Sequence, residues 1–157
     1  MESGKTPNKT SILIVTMLGQ FVSPFLGNAL TVGLPQAGRE LNMDAISLGW
    51  VVAAFMLAST MFIIPFGRIA DIYGMKRIYT WGIVGITVTS SLLAVSSSSI
   101  MLISLQFLQG AMGAMLFATG AAMLTSAFPP GERGKALGLN VASVYLGLSL
   151  GPFLGVY

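Results

Sequence analysis

The sequence contains no cysteine and no histidine, and only 8% of its 157 residues are charged. Without cysteine there is no disulfide and no thiolate metal site, and without histidine there is no imidazole base and no His-ligated metal. No metal or other cofactor is therefore expected. The scarcity of charge excludes more. A soluble domain carries about 25% charged residues, and a chain with a third of that cannot coat a water-facing surface. What fills the sequence instead is apolar: 54% of the residues are hydrophobic, and the mean hydropathy is +0.82. The net charge of +3 is small, and no nucleic-acid partner is expected from it. An intramembrane enzyme is set aside, because no His, Cys or buried carboxylate is available as a catalyst.

The few charges divide the chain. No charged residue falls between Lys9 and Arg39, between Asp44 and Arg68, between Arg77 and Glu132, or after Lys135. A spanning helix needs about 20 predominantly apolar residues. The first gap predicts one span over residues 11–34, behind a tail of residues 1–10. The second predicts one over 45–66. The third is long enough for two, 78–95 and 100–127, with Ser96–Ser99 as the turn between them. The last predicts one over 136–157. The fold class is thus an all-α transmembrane bundle of about five spanning helices, lying in a lipid bilayer. The first apolar run is too long for the h-region of a signal peptide, so it is read as a retained span.

The positive charges set a direction. Lys5 and Lys9 precede the first span, Arg68, Lys76 and Arg77 join the second to the third, and Arg133 and Lys135 join the fourth to the fifth. With five spans all seven fall on one side, and only Arg39 falls on the other. The positive-inside rule then predicts a cytoplasmic N-terminus. Trp50, Tyr79 and Trp81 stand near predicted span ends, where an aromatic belt would place them.

Two motifs carry a family resemblance over nearly the whole chain. The second-to-third connection, Gly67-Arg68-Ile69-Ala70-Asp71-Ile72-Tyr73-Gly74-Met75-Lys76-Arg77, resembles the signature loop of the major facilitator superfamily, G-x-L-A-D-R-x-G-R-K-x. Gly67 and Gly74 would allow positive φ and close approach, Asp71 would accept bonds from helix N-terminal amides, and Lys76 and Arg77 would hold the loop at the cytoplasmic face. The fifth span, Gly147 to Gly155, resembles the motif G-x-x-x-G-P-x-x-G-G of the drug–proton antiporter branch, with Val156 at the final glycine. Gly147, Gly151 and Gly155 form one small-residue stripe on which another helix can pack, and Pro152 lacks the N–H of a regular helix. Gln106 to Ala114 is similar to the fourth-helix pattern R-x-x-Q-G-x-G-A, with Gln106 where the family has arginine. The segment before Pro35 is similar to L-D-x-T-I-V-N-V-A-L-P of the fourteen-helix drug antiporters, with Leu26 at the aspartate and Thr31 at the asparagine. The resemblance implies the N-terminal part of a multidrug efflux transporter of the plasma membrane, working by secondary proton antiport. Its substrate would be a small amphipathic or cationic molecule. The alternative is a membrane piece without transport activity.

Helical periodicity groups the polar residues into stripes. Gln20, Pro24, Gly27, Asn28 and Thr31 share a face of the first span. Gln106, Gln109, Gly110 and Gly113 share one of the fourth, and Asn140, Ser143 and Gly147 one of the fifth. Polar side chains in a bilayer turn toward protein. Gln20, Asn28, Thr31, Gln106 and Gln109 are therefore candidates for lining a substrate cavity, or equally for bonding helices together. Asn140 and Ser143 are read as structural. Met56, Met61, Met112, Met115 and Met123 could form an adaptable wall, although packing and lipid contact are the simpler roles. No charge lies within a predicted span, so no titratable group for proton coupling is in sight. The sequence stops within its last span, which suggests a fragment of a longer transporter or the product of a truncated reading frame. Alone, the chain is expected not to transport, its fifth-helix stripe left to lipid or to a second copy.

Overall fold

The computed structural model describes residues 8–154. Five helices follow one another: α1 (Lys9–Glu40), α2 (Ala45–Tyr73), α3 (Met75–Ala94), α4 (Ser99–Ala127) and α5 (Pro130–Leu154). Each break has a local cause. Leu41 caps α1, and Asn42 follows in the left-handed region at φ 50°. Asp44 then opens α2, its carboxylate accepting from the Ser47 amide at 3.0 Å, and its hydrogen bonds to Ser47 hold its pKa below the ordinary value. Ser98 caps α4 in the same way through the Met101 amide at 3.3 Å. Pro130 begins α5 at the first helical position, where a missing N–H costs nothing.

The helices overrun the predicted spans because interfacial polar residues continue them. The largest difference concerns the stretch Gly67–Arg77, expected as a loop. It is helical on both sides of Gly74, which sits at φ 99°. Arg68 and Asp71 ride on the last turns of α2, and Lys76 and Arg77 on the first turn of α3. Only Gly74 needs the freedom of glycine. Gly67 is helical, and a Cβ there would merely touch the Ala118 Cβ at 4.0 Å. Asp71 is exposed, and among the described residues its carboxylate accepts no hydrogen bond.

Among the described residues, α1, α2, α4 and α5 are long and apolar enough to cross a membrane. α3 has 20 residues, about 30 Å at 1.5 Å per residue. Its composition is diluted by two cations and by hydroxyls. Four of those hydroxyls are spent within the helix. Thr80, Thr87, Thr89 and Ser91 donate to the carbonyls of Lys76, Ile83, Gly85 and Thr87, one turn back.

Residue pairings make the bundle alternate in direction. α1 runs parallel to α5, meeting it at Phe21 and Gly147 and again at Phe25 and Gly151. α2 runs parallel to α4, meeting it at Phe55 and Gly110 and at Gly67 and Ala118. α3 lies antiparallel on α4, with Gly82 against Met115 and Leu116, and Gly85 against Met112. α1 and α4 cross in the middle, where Gly113 meets the Ser23 hydroxyl. The fifth-helix stripe is thus covered by α1 at Gly147 and Gly151, rather than left to lipid or a second copy, while Gly155 lies outside the described residues. The large apolar side chains instead point outward, among them Leu18, Leu57, Met61, Ile64, Trp81 and Phe153. This is the inside-out economy of a membrane bundle, in which small residues make the contacts and large ones meet lipid.

Trp50 and Trp81 are exposed, as an aromatic belt requires, but Tyr79 is not. It is 2% exposed, and its hydroxyl donates to the Val15 carbonyl at 2.9 Å and lies 3.3 Å from that of Thr16. Gly19 makes room for the ring against α1, so Tyr79 is a bolt between α3 and α1.

The charges gather as the sequence implies. Lys9 pairs with Glu132 at 3.6 Å, which joins the beginnings of α1 and α5, and Arg133 donates to the Phe128 carbonyl at 3.0 Å. The cleft beside them brings Ile12, the Gly74–Arg77 junction and Ser126 together. Arg39 stands at the opposite end, beside Asn42 and Leu48. The Lys9–Glu132 pair is more than half exposed and adds little stability.

A leucine side chain at Gly151 would drive into Asn28 Cβ and the Phe25 carbonyl, which stand 2.8 and 2.9 Å from the position of a Cβ. Gly151→Leu should therefore lose about 1–3 kcal/mol, read as earlier thermal unfolding in detergent. Gly138→Leu on the same helix, where nothing lies within 4 Å, should leave the transition in place. Equal effects at the two sites would show that the α1–α5 seam is not what the glycines serve.

Candidate functional site

Where the α1–α5 and α2–α4 pairs face each other they leave a cavity of about 300 Å³. It opens in the half of the bundle that carries Arg39, away from the basic end. α1 supplies Ser23, Pro24, Gly27, Asn28 and Thr31 to one wall, and α2 brings Val51, Val52, Phe55 and Met56. α4 contributes Gln106 and Phe117, and α5 Val144 and Leu148. The local reasons are in the sequence. Gly27 presents no side chain, and the Phe55 ring tip reaches to 4.0 Å of where its Cβ would be and to 3.9 Å of that of Gly113. The backbones of α2 and α4 touch at Phe55 and Gly110, and the Ser59 hydroxyl, which donates to the Phe55 carbonyl at 2.7 Å, lies 3.3 Å from that of Gly110. The walls are mostly apolar, and no charged side chain is among them.

Three of the five polar candidates meet here. The Asn28 amide donates to the Leu148 carbonyl of α5 at 3.2 Å, so it both lines the cavity and ties α1 to α5. The Thr31 hydroxyl donates to the Gly27 carbonyl at 2.9 Å. Gln106 is 3% exposed, and its Oε1 is buried with no hydrogen-bond partner among the described residues.

The other two lie elsewhere. Gln20 is buried between α1 and α4, donating to the Leu116 carbonyl at 3.1 Å against the gap left by Gly120. Gln109 faces α3, where it donates to the Ser90 hydroxyl at 2.9 Å. Both hold helices together. Asn140 and Ser143 lie buried on the α1-facing side of α5, and Ser143 donates back to the Leu139 carbonyl at 3.0 Å. Pro152 is half-buried within α5, one residue past the Gly151 contact. Of the methionines, Met56 lines the cavity, Met61 is exposed, Met112 and Met115 pack on the α3 glycines, and Met123 is buried in the cluster around Tyr79 and Leu116.

Polar-stripe reasoning passed over Ser23, although its spacing from Gln20 and Gly27 puts it on the same face. It could not have found Phe55 and Phe117, since nothing in an apolar run separates a cavity aromatic from a lipid-facing one.

Comparison with known proteins points one way. Residues 16–157 match the family model of the Major Facilitator Superfamily. A riboflavin transporter of Clostridioides difficile is 34% identical over 94% of the chain, which covers 32% of that protein. A probable actinorhodin transporter of Streptomyces coelicolor is 33% identical over 82% of the chain and 22% of its own length. A puromycin resistance protein of Streptomyces alboniger is 32% identical over 97% of the chain and 30% of its own length. The chain spans no more than about a third of each of these relatives. With the match running from the first third of α1 to the last residue, through the Gly74 junction and the glycine seam of α5, the chain belongs to the Major Facilitator Superfamily.

Proposed function

We propose that the chain forms the first five helices of a secondary transporter that exports small amphipathic molecules, in the drug–proton antiporter manner. Its cavity would be this part's share of the substrate path. The observation that carries the reading is the cavity itself: a partly open, mostly apolar space with a few polar groups, of the size and character that small-molecule sites take. Among the relatives, the puromycin resistance protein of Streptomyces alboniger supports the same direction of transport. The plasma membrane is the proposed location, with the basic end and the N-terminus in the cytoplasm. That follows from the clustering of Lys9, Lys76, Arg77, Arg133 and Lys135 at one end.

The signature residues fit a conformational role better than a chemical one. Arg68, Asp71, Lys76 and Arg77 lie at the basic end, far from the cavity, around the single hinge-like residue Gly74. Gly67 and Gly74 frame that junction. Gly147, Gly151 and Pro152 control how closely α5 can lie on α1, and so the shape of the wall that these two helices present to the cavity. The titratable group that antiport requires is absent from these cavity walls, and the reading assigns it to the transporter's other helices.

Orientation is checked by single cysteines, which this cysteine-free chain accepts without background. Asp44→Cys and Ser98→Cys should react with an impermeant thiol reagent on whole cells, and Met75→Cys and Glu132→Cys should not. Reaction of Met75→Cys from outside would invert the proposed topology.

The cavity is checked in membrane vesicles. Thr31→Cys and Met56→Cys should be modified by a small methanethiosulfonate, and a panel of amphipathic dyes, neutral and cationic, should slow that reaction. Lipid-facing Val88→Cys should react at the same rate with and without dye. Protection at neither cavity position by any dye would leave the chain as a membrane piece with no substrate path of its own.

A further inference from the structure

The basic end of the bundle is hollowed between α1, α3 and the end of α4 into a cleft of about 690 Å³. Lys76 and Arg77, from the first turn of α3, stand in its wall, and Tyr73 and Ser126 bring a hydroxyl each. The other lining side chains are apolar: Ile12, Met75, Met123 and Ala127. Ile12 and Met75 pack against the buried cluster around Tyr79 and Met123, so the apolar part is the inner part. Lys76 and Arg77 are exposed.

The charge in this cleft has one sign. No acidic residue lines it. Among the described residues the one ion pair is that of Lys9 with Glu132, so neither Lys76 nor Arg77 has a carboxylate partner. Two neighbouring cations repel each other, and an anion between them relieves the repulsion. A guanidinium fork beside an ammonium suits a phosphate group. The apolar inner wall, however, gives nothing to a small ion from water. It fits a molecule that carries hydrocarbon next to its phosphate.

The height of the cleft supplies such molecules. The 20 residues of α3 span about 30 Å, the thickness of the hydrocarbon core. Its first turn therefore lies at the level of the lipid headgroups. We propose that the cleft seats the headgroup of an anionic phospholipid. Lys76 and Arg77 hold the phosphate, and Ile12, Met75 and Met123 hold the glycerol and the first methylenes. Diffuse attraction of anionic lipid to a basic surface counts every cation at that end alike. A seat counts only the two in its wall.

The test uses the whole chain in nanodiscs of phosphatidylcholine, with or without added phosphatidylglycerol. Ser126→Cys places a thiol in the cleft, and its alkylation by an uncharged maleimide reports access. Gly131→Cys is the control, an exposed position at the same end with nothing within 4 Å. Phosphatidylglycerol should slow alkylation of Ser126→Cys about tenfold, the scale set by two basic contacts, and leave Gly131→Cys unchanged. Adding Lys76→Gln and Arg77→Gln should abolish the slowing. Adding Arg68→Gln and Lys135→Gln instead removes the same charge from the same end and should preserve it. Inorganic phosphate with phosphatidylcholine nanodiscs should not protect. The comparison of the two cysteines needs no charge variant, so the proposal stays testable if one of those unfolds the bundle. Equal slowing at both cysteines, no slowing at either, or equal loss in the two charge variants would overturn the seat. Protection by inorganic phosphate alone would replace the lipid with a free anion.

Discussion

Helix contact in a bilayer cannot be driven by hiding apolar surface, because lipid is as apolar as a leucine. It has to come from close backbone approach, and in this chain that approach happens at glycine. Gly147 rests on the Phe21 carbonyl and Gly110 on the Phe55 carbonyl, closely enough that a Cβ at either would collide with backbone. Gly151 continues the first seam and Gly82 with Gly85 make a third, against the flexible side chains of Met112 and Met115. Backbone cannot give way as a methionine does. The α1–α5 and α2–α4 seams are therefore the fixed parts of the bundle, and the cavity is the space that their separation leaves.

The second constraint is that the membrane offers no water to a stray polar group. Twelve of the described hydroxyls answer it locally, by bonding a carbonyl on their own helix. The amides cannot do so, and they join helices instead: Gln20 to the α4 backbone, Gln109 to Ser90 of α3, Asn28 to the α5 backbone. Three buried oxygens remain without donors among the described residues, those of Gln20, Gln106 and Asn140. Of their residues, Gln106 alone lines the cavity, and that sets it apart from the structural amides.

Much of this was legible in the sequence, and the reasons are physical. Charge placement divides the chain because charges cannot stay within hydrocarbon, so four apolar runs and the two unlike ends follow from thirteen residues, and the serine run Ser96–Ser99 splits the longest of the four into α3 and α4. The Gly147–Gly151 spacing reads directly as a contact stripe. Other features escape because they depend on a partner. Gln106 and Gln109 lie only about 60° apart on one helix, yet one meets the cavity and the other meets α3. Periodicity gives a face and does not say who stands opposite. Tyr79 reads as an interfacial aromatic by position, and only Gly19 on another helix reveals that it is buried. The signature stretch reads as a loop because its glycines suggest one, while its charged residues are good helix formers that need a single interruption.

The central claim is that α5 lies on α1 and α2 on α4, in parallel, with the cavity between the pairs. Disulfide trapping tests it in the native membrane. At the Gly67–Ala118 contact a Cβ on Gly67 would stand 4.0 Å from that of Ala118, close to the mean separation of about 3.8 Å in natural disulfides. Gly67→Cys combined with Ala118→Cys, and Asn28→Cys combined with Gly151→Cys, should each close a bond under mild oxidation, seen as loss of both thiols to alkylation. The exchanged pairs, Gly67→Cys with Gly151→Cys and Asn28→Cys with Ala118→Cys, should stay reduced. Closure of the exchanged pairs with the matched pairs open would contradict the arrangement, and with it the cavity.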